Sequence, residues 1–206
     1  MTGIVDYGAG NLRSVSEALS YLGVEHRLVR GAQELELADR LILPGVGSFG
    51  HAVEHLHAAG LFGALRAWLD AGRPYLGICL GLQLLLEGSE ESPGAAGFGF
   101  LRGTCRRFQG RRVPQIGWNN VEFKADCPLF AGLVPGEYFY FVHSYSAVPE
   151  DTLKVVGWTE YGIRYASAVG VGQVWAVQFH PEKSGRAGLT VLKNWLERCA
   201  GAGHGG

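Results

Sequence analysis

Short apolar runs alternate with amphipathic stretches over the first eighty residues. Gly3-Ile4-Val5-Asp6-Tyr7 has the length and composition of a buried strand, and residues 12 to 22 carry apolar positions at helical spacing. Glu25-His26-Arg27-Leu28-Val29 and Arg40-Leu41-Ile42-Leu43 repeat the strand pattern. A helical period then runs from His51 through Leu61, Phe62, Leu65, Trp68 and Leu69, which predicts an amphipathic helix packed on a sheet. Arg73-Pro74-Tyr75-Leu76 reads as the end of a further strand and residues 82 to 87 as the helix that follows it. Strands that run directly into helices predict a parallel α/β sheet.

Beyond the polar, glycine-rich stretch 88–99 the period changes. Residues 104–108, 120–123, 138–142, 153–158 and 166–169 read as short strands between turns. Residues 173–179 read as a last core strand, and 186–199 as a closing helix with Leu189, Leu192 and Leu196 on one side. An α/β half followed without a linker by a β-rich half predicts one domain over residues 1–200, with an added antiparallel β layer. Residues 201–206, mostly glycine, read as a disordered tail.

Composition narrows the partners. The chain has 206 residues, enough for one full core, with 47% hydrophobic and 18% charged residues. A formal net charge of -1 gives no case for nucleic acid or a membrane surface. The first residues lack a basic n-region, and no apolar run reaches membrane-spanning length. Cys79, Cys105, Cys127 and Cys199 are far apart and form no CxxC pair, which predicts a reducing, cytoplasmic setting where a thiol stays reactive.

One thiol stands out. In Gly77-Ile78-Cys79-Leu80-Gly81 a cysteine between two glycines joins a strand to a helix, the thiol form of a nucleophile elbow. Glycine on both sides suits a turn too tight for side chains, and the helix start favours thiolate over thiol. Pro44-Gly45-Val46-Gly47-Ser48-Phe49-Gly50 ends the preceding strand and offers backbone N–H groups to a ligand. The early Gly8-Ala9-Gly10-Asn11-Leu12-Arg13 departs from a dinucleotide fingerprint at its sixth position and carries no nucleotide prediction. His51-Ala52-Val53-Glu54-His55 spells an inverted zinc motif, but no third ligand is evident, so the prediction is a solvated helix face and no metal.

A base stands far along the chain. His180-Pro181-Glu182 follows the last strand, and residues two apart in extended chain point the same way, so Glu182 is placed to fix the His180 tautomer. Cys79, His180 and Glu182 then satisfy the logic of nucleophile, base and orienter. His143 is the competing base but lacks a nearby carboxylate in sequence.

Gly77-Ile78-Cys79-Leu80-Gly81 with Gln83, Pro44-Gly45-Val46-Gly47, and Phe179-His180-Pro181-Glu182 together resemble the three signatures of the triad-type glutamine amidotransferases. Within that family, Asp6-Tyr7-Gly8-Ala9-Gly10-Asn11-Leu12, Val113-Pro114-Gln115-Ile116-Gly117-Trp118-Asn119, Tyr140-Phe141-Val142-His143-Ser144-Tyr145 and His180-Pro181-Glu182-Lys183-Ser184 are similar to the glutaminase subunits of imidazole glycerol phosphate synthases. The resemblance covers residues 3 to about 199 and implies a flavodoxin-like, three-layer fold with no cofactor. It implies an oxyanion hole at Leu80 and at Val46 or Gly47, with glutamine held by Gln83, Ser144 and Tyr145. It also implies a separate (β/α)8-barrel cyclase partner, docked over Asn11, Arg13, Trp118, Tyr140 and Lys183, without which the chain is nearly inactive. The rival readings are the glutaminase of another synthase, such as a chorismate-using one, and a free-standing thiol hydrolase.

Overall fold

The computed structural model describes residues 1–8, 10–109 and 112–199. Ala9 of the early glycine motif and the glycine-rich tail 201–206 lie outside the described residues. The chain opens with β1 (Thr2–Val5), α1 (Leu12–Tyr21), β2 (His26–Val29), α2 (Ala32–Leu35) and β3 (Arg40–Gly45). It continues with α3 (Phe49–Ala58), α4 (Phe62–Asp70), β4 (Tyr75–Cys79) and α5 (Leu80–Gln83). The strand-rich part holds β5 (Gly88–Ser89), β6 (Gly103–Arg107), β7 (Gln115–Phe123), β8 (Glu137–His143), β9 (Tyr145–Pro149), β10 (Val155–Glu160), β11 (Arg164–Val171) and β12 (Val174–Val177), before α6 (Gly185–Asn194) and a π-helical turn (Trp195–Cys199).

The strands run in the order β2-β1-β3-β4-β12-β11-β10-β7-β8. The first five pair in parallel. Renumbered along the chain they give the 2-1-3-4-5 order of flavodoxin-like sheets. From β12 onward the pairing is antiparallel, with β9 joining β11 to β6. This is the mostly parallel sheet with an antiparallel addition that the patterning predicts.

Successive residues of the parallel strands feed opposite cores, as a period of two requires. Val5, Leu41, Leu43 and Tyr75 pack with Leu56, Leu65 and Trp68 of α3 and α4. Ile4, Ile42, Leu76 and Ile78 pack with Val15 and Leu19 of α1 and Val191 and Leu192 of α6. The outcome is helix, sheet, helix. A sheet covered on both faces explains why its strands read as continuous apolar runs rather than alternating ones.

Three predicted helices differ in extent. The stretch read as one helix from His51 to Leu69 is two, because Gly60 adopts φ +66 and the Leu61 N–H bonds back to the Leu56 carbonyl at 2.9 Å. That is a Schellman stop, and Leu61 is buried as its hydrophobic seal. The helix expected over 82–87 ends at Gln83. The carbonyls of Leu84, Leu85 and Leu86 instead accept N–H groups of Phe98, Leu101 and Gly99, so the polar loop takes the bonds that helix growth would have used. The closing helix widens into its π turn at Trp195, whose indole is anchored on the Tyr75 carbonyl at 3.2 Å. No helix of the described residues is long and apolar enough to cross a membrane.

Candidate active site

Three neighbouring strands of the parallel sheet end together. Gly45 of β3 is in register with Cys79 of β4, and Ile78 with Val177 of β12. The Gly-rich loop, the cysteine and the histidine therefore leave one sheet edge side by side, with Cys79 in the middle. Carboxyl ends of parallel strands are where such sheets hold ligands.

The elbow is strained and tightly seated. Cys79 has φ +55 and ψ -105, the sole positive φ among the described non-glycine residues. Such backbone costs about 1–3 kcal/mol and persists only when its surroundings enforce it. They do: a β-carbon on Gly77 would stand 2.5 Å from the Gly81 carbonyl oxygen, and one on Gly81 would stand 2.1 Å from that of Leu43. Because α5 is a single turn, the full helix dipole expected behind the thiol is absent. What the turn supplies is its first free N–H groups, that of Leu80 among them.

Cys79, Leu80, Val46, Gly47, Gln83, Ser144 and Tyr145 all line one cavity of about 300 Å³, completed by Glu91, Pro114, Val142 and His143. Every residue predicted for the oxyanion hole and for glutamine contact is on its wall. Larger clefts, one along Glu87 to Pro149 and one along α3, contain neither Cys79 nor His180.

His180 and Glu182 follow the neighbouring strand β12 and do not line the cavity itself. His180 Nδ1 lies 2.8 Å from Glu182 Oε1, and both side chains are 1% exposed. Asn11 Nδ2 donates to the same oxygen at 3.3 Å. The carboxylate holds a proton on Nδ1 and leaves Nε2 as the basic nitrogen; Nε2 is buried without a hydrogen-bond partner. Burial works against the charged ring, but attraction from the nearby Cys79 sulfur and the hydrogen bond and charge of the Glu182 carboxylate outweigh it and raise the His180 pKa to about 10. The arrangement favours the charged, imidazolium form of His180.

His143 does not compete. Its Nδ1 is tied to the Tyr145 carbonyl at 2.8 Å and its Nε2 faces the Tyr165 hydroxyl at 3.3 Å, and burial lowers its pKa to about 4. The other cysteines are buried and pushed up by burial, Cys199 to about 12, which makes them poor nucleophiles. In the inverted zinc motif, His51 and Glu54 are exposed and His55 Nδ1 is engaged by the Tyr7 carbonyl at 3.0 Å.

The five residues expected at a partner surface divide. Trp118 is 57% exposed and meets Tyr140 edge-on at 6.2 Å, with Lys183 Nζ 6.0 Å from the Tyr140 ring. These three form one patch. Asn11 is half-buried and serves Glu182, and Arg13 is an exposed residue paired with Glu17 at 2.7 Å.

Two residues had no readable signal in the sequence. Glu91 comes from the polar loop after β5 and reaches the cavity while its Oε2 accepts the Phe49 N–H at 2.7 Å. Gln178, fully buried, donates from Nε2 to the Cys79 sulfur at 3.5 Å.

Residues 3–199 match the family model described as glutamine amidotransferase class-I. The chain is 50% identical over 200 residues to the imidazole glycerol phosphate synthase subunit HisH of Thermococcus kodakarensis, covering 95% of this chain and 98% of that one. It is 47% identical to the protein of that name from Moorella thermoacetica, covering 98% and 97%. Among solved structures it superposes on a glutamine amidotransferase with TM-score 0.76 at 22% identity, covering 95% of this chain and 97% of that chain. It superposes on PurLQS from Thermotoga maritima with TM-score 0.74 at 22% identity, covering 95% and 96%.

Proposed function

The chain belongs to the class-I glutamine amidotransferase family, and from that premise we propose that it is the glutaminase subunit of an imidazole glycerol phosphate synthase in histidine biosynthesis. The observation that carries this reading is the meeting of Cys79 with the buried His180–Glu182 pair on adjacent strand ends, in a chain 50% identical to a HisH subunit.

The residues suit the hydrolysis of glutamine to glutamate and ammonia. The Cys79 thiolate attacks the side-chain amide carbon, and the oxygen takes the displaced electron pair as an oxyanion. His180 gives its proton to the departing nitrogen, ammonia leaves, and a glutamyl thioester remains. His180 then takes a proton from water, which attacks the thioester and releases glutamate and the thiolate. Glu182 keeps the ring oriented throughout. The oxyanion is met by the N–H of Leu80 and by that of Val46 or Gly47. Gln83, Ser144 and Tyr145 hold the substrate, and the Glu91 carboxylate suits its α-ammonium group. None of these steps calls for a cofactor.

Ammonia released into water becomes ammonium, which is no nucleophile, so the product is useful only if delivered under cover. We assign the delivery to a (β/α)8-barrel cyclase that forms a heterodimer with this chain over the Trp118–Tyr140–Lys183 patch, Asn11 and Arg13. It would consume the ammonia in making imidazole glycerol phosphate and AICAR. Residues 1–200 act as one domain in this reading.

The test is glutamate release by the isolated chain, by the chain with the cyclase, and by the complex with the cyclase's nucleotide ligand. Rates rise from near zero across the three, through a shift of the Gly45-Val46-Gly47 loop towards its donating form. Equal rates would remove the coupling. Cys79→Ala abolishes glutamine-driven turnover and spares turnover with added ammonia; glutamine-driven turnover surviving in that variant would end the glutaminase reading.

A further inference from the structure

The buried amide of Gln178 stands in a hydrogen-bond chain whose direction can be deduced. Gln83 Nε2 lies 3.0 Å from the Tyr145 carbonyl oxygen, an atom that only accepts, so this end of the Gln83 amide must be the donor. The same Nε2 lies 3.2 Å from the nearer end of the Gln178 amide, which must then be Oε1, the acceptor. The remaining end of Gln178 is therefore its NH2 group, 3.5 Å from the Cys79 sulfur. A backbone carbonyl two residues away in this chain of contacts thus decides which face the sulfur sees. Flipping Gln178 would set two donors head to head at Gln83 and turn its Oε1 towards the sulfur, which already faces the Val142 carbonyl oxygen at 3.9 Å.

We propose that Gln178 is a fixed hydrogen-bond donor to the Cys79 sulfur, held in that sense by Gln83 and the Tyr145 carbonyl, and that it stabilises the thiolate. An N–H donor favours the charged form of its acceptor. The single-turn helix behind Cys79 supplies little dipole for this purpose, so the charge rests on discrete groups: the Gln178 amide donor and the attraction of the neighbouring His180 ring. The side chain is wholly buried and follows directly on the last residue of β12, two residues before the base, so one short segment brings both groups to the thiol. Gln83 acquires a second task beyond the cavity wall, since its NH2 group sets the polarity of Gln178. The step served is the one in the glutaminase reading above, on which this inference rests, but its test reads the thiol itself.

The probe is iodoacetamide on the full chain, with the Cys79 peptide followed by mass spectrometry. The thiolate attacks the methylene carbon and iodide leaves, so the rate tracks the thiolate fraction. Around the sulfur, Tyr7 from the turn after β1 and Tyr165 from β11 have pKa values pushed up by burial and stay protonated over the working range. His143 from β8 stays neutral over that range. Glu182 faces the sulfur through His180, and Glu91 stands on the cavity wall. The inflection of the alkylation rate with pH therefore belongs to the Cys79–His180 pair.

In Gln178→Met, which keeps the volume and removes the donor, the midpoint rises by about one pH unit. Below both midpoints alkylation slows about tenfold, and well above them it returns to the wild-type rate, which a blocked or distorted site would not do. Gln178→Glu still accepts from Gln83 but sets a carboxylate against the sulfur, and raises the midpoint further; it decides the matter where the Met variant lacks a cooperative unfolding transition. Midpoints unchanged in both folded variants would overturn the proposal. A chain with the shift but no glutaminase activity would leave Gln178's role standing and remove the function assigned to the thiol.

Discussion

Gly81 lies against β3 so closely that a β-carbon on it would stand 2.1 Å from the carbonyl oxygen of Leu43. The neighbour is backbone in the middle of a buried parallel sheet and has nowhere to go. Gly81→Ala therefore lifts the elbow off the sheet, destabilising the fold by about 1–3 kcal/mol as overpacked cores do. Urea unfolding measures the loss, and glutamate release by the complex falls with it because Cys79 moves. Wild-type stability in this variant would mean that the elbow is not clamped.

Gly47 is a glycine for a different reason. Nothing lies within 4 Å of where its β-carbon would be, yet its φ is +97. Gly47→Ala meets no clash but disfavours the backbone angle, and Gly47→Pro also removes the N–H. If this loop supplies an oxyanion donor, Gly47→Pro lowers kcat by about 10²–10³-fold. KM for glutamine changes far less. Intact turnover in the proline variant would place the donor elsewhere.

The His180–Glu182 pair makes a prediction with a sign. His180 is raised from 6.5 to about 10 in the fold. A histidine raised in this way stabilises the protein fully below pH 6.5 and loses that contribution as pH climbs through 10. Glu182→Gln removes one source of the rise. The stability gap between wild type and variant is therefore widest near pH 6 and narrows towards pH 10, as denaturation at the two pH values will measure. Glutaminase activity drops by about 10²–10⁴-fold, the usual worth of a positioned acid–base group. A gap that widened with pH would contradict the ion pair.

His143 has the opposite sign. Its pKa falls to about 4 because burial resists the charge, so its contribution is present above pH 6.5 and lost as pH drops to 4. His143→Gln keeps a side chain able to donate to the Tyr145 carbonyl and has no proton to gain. The variant should lose less stability between pH 6.5 and 4 than wild type, by about one proton's worth of slope. Parallel curves would show that burial does not depress the His143 pKa in the fold.

What could be read from the sequence was whatever is written locally. The elbow announces itself because two close backbone approaches need glycine at Gly77 and Gly81; the pairing of Glu182 with His180 was also legible, but a 3-10 turn over Pro181–Lys183, not the extended chain that the spacing predicts, makes it. The parallel half was legible because its apolar runs report burial on both faces. The strand at Tyr145–Pro149 was missed: it pairs with both β6 and β11, yet its own residues alternate without a long apolar run. The early stop of α5 depends on amide donors more than ten residues away, and the contacts of Gln178 span 95 and 99 residues. Interactions of that kind have no local period and exist only once the sheet has formed.

The hairpin of β7 and β8 carries the Trp118–Tyr140 pair midway along its length, and β8 is also bonded to the base. The Tyr140 carbonyl accepts the His180 N–H at 2.9 Å, and the Tyr140 N–H donates to Ser184 Oγ, which in turn donates to the His180 carbonyl at 2.7 Å. These bonds close a small ring of main chain around the histidine. Any displacement of Tyr140 would therefore have to break or carry with it the main-chain bonds that seat His180.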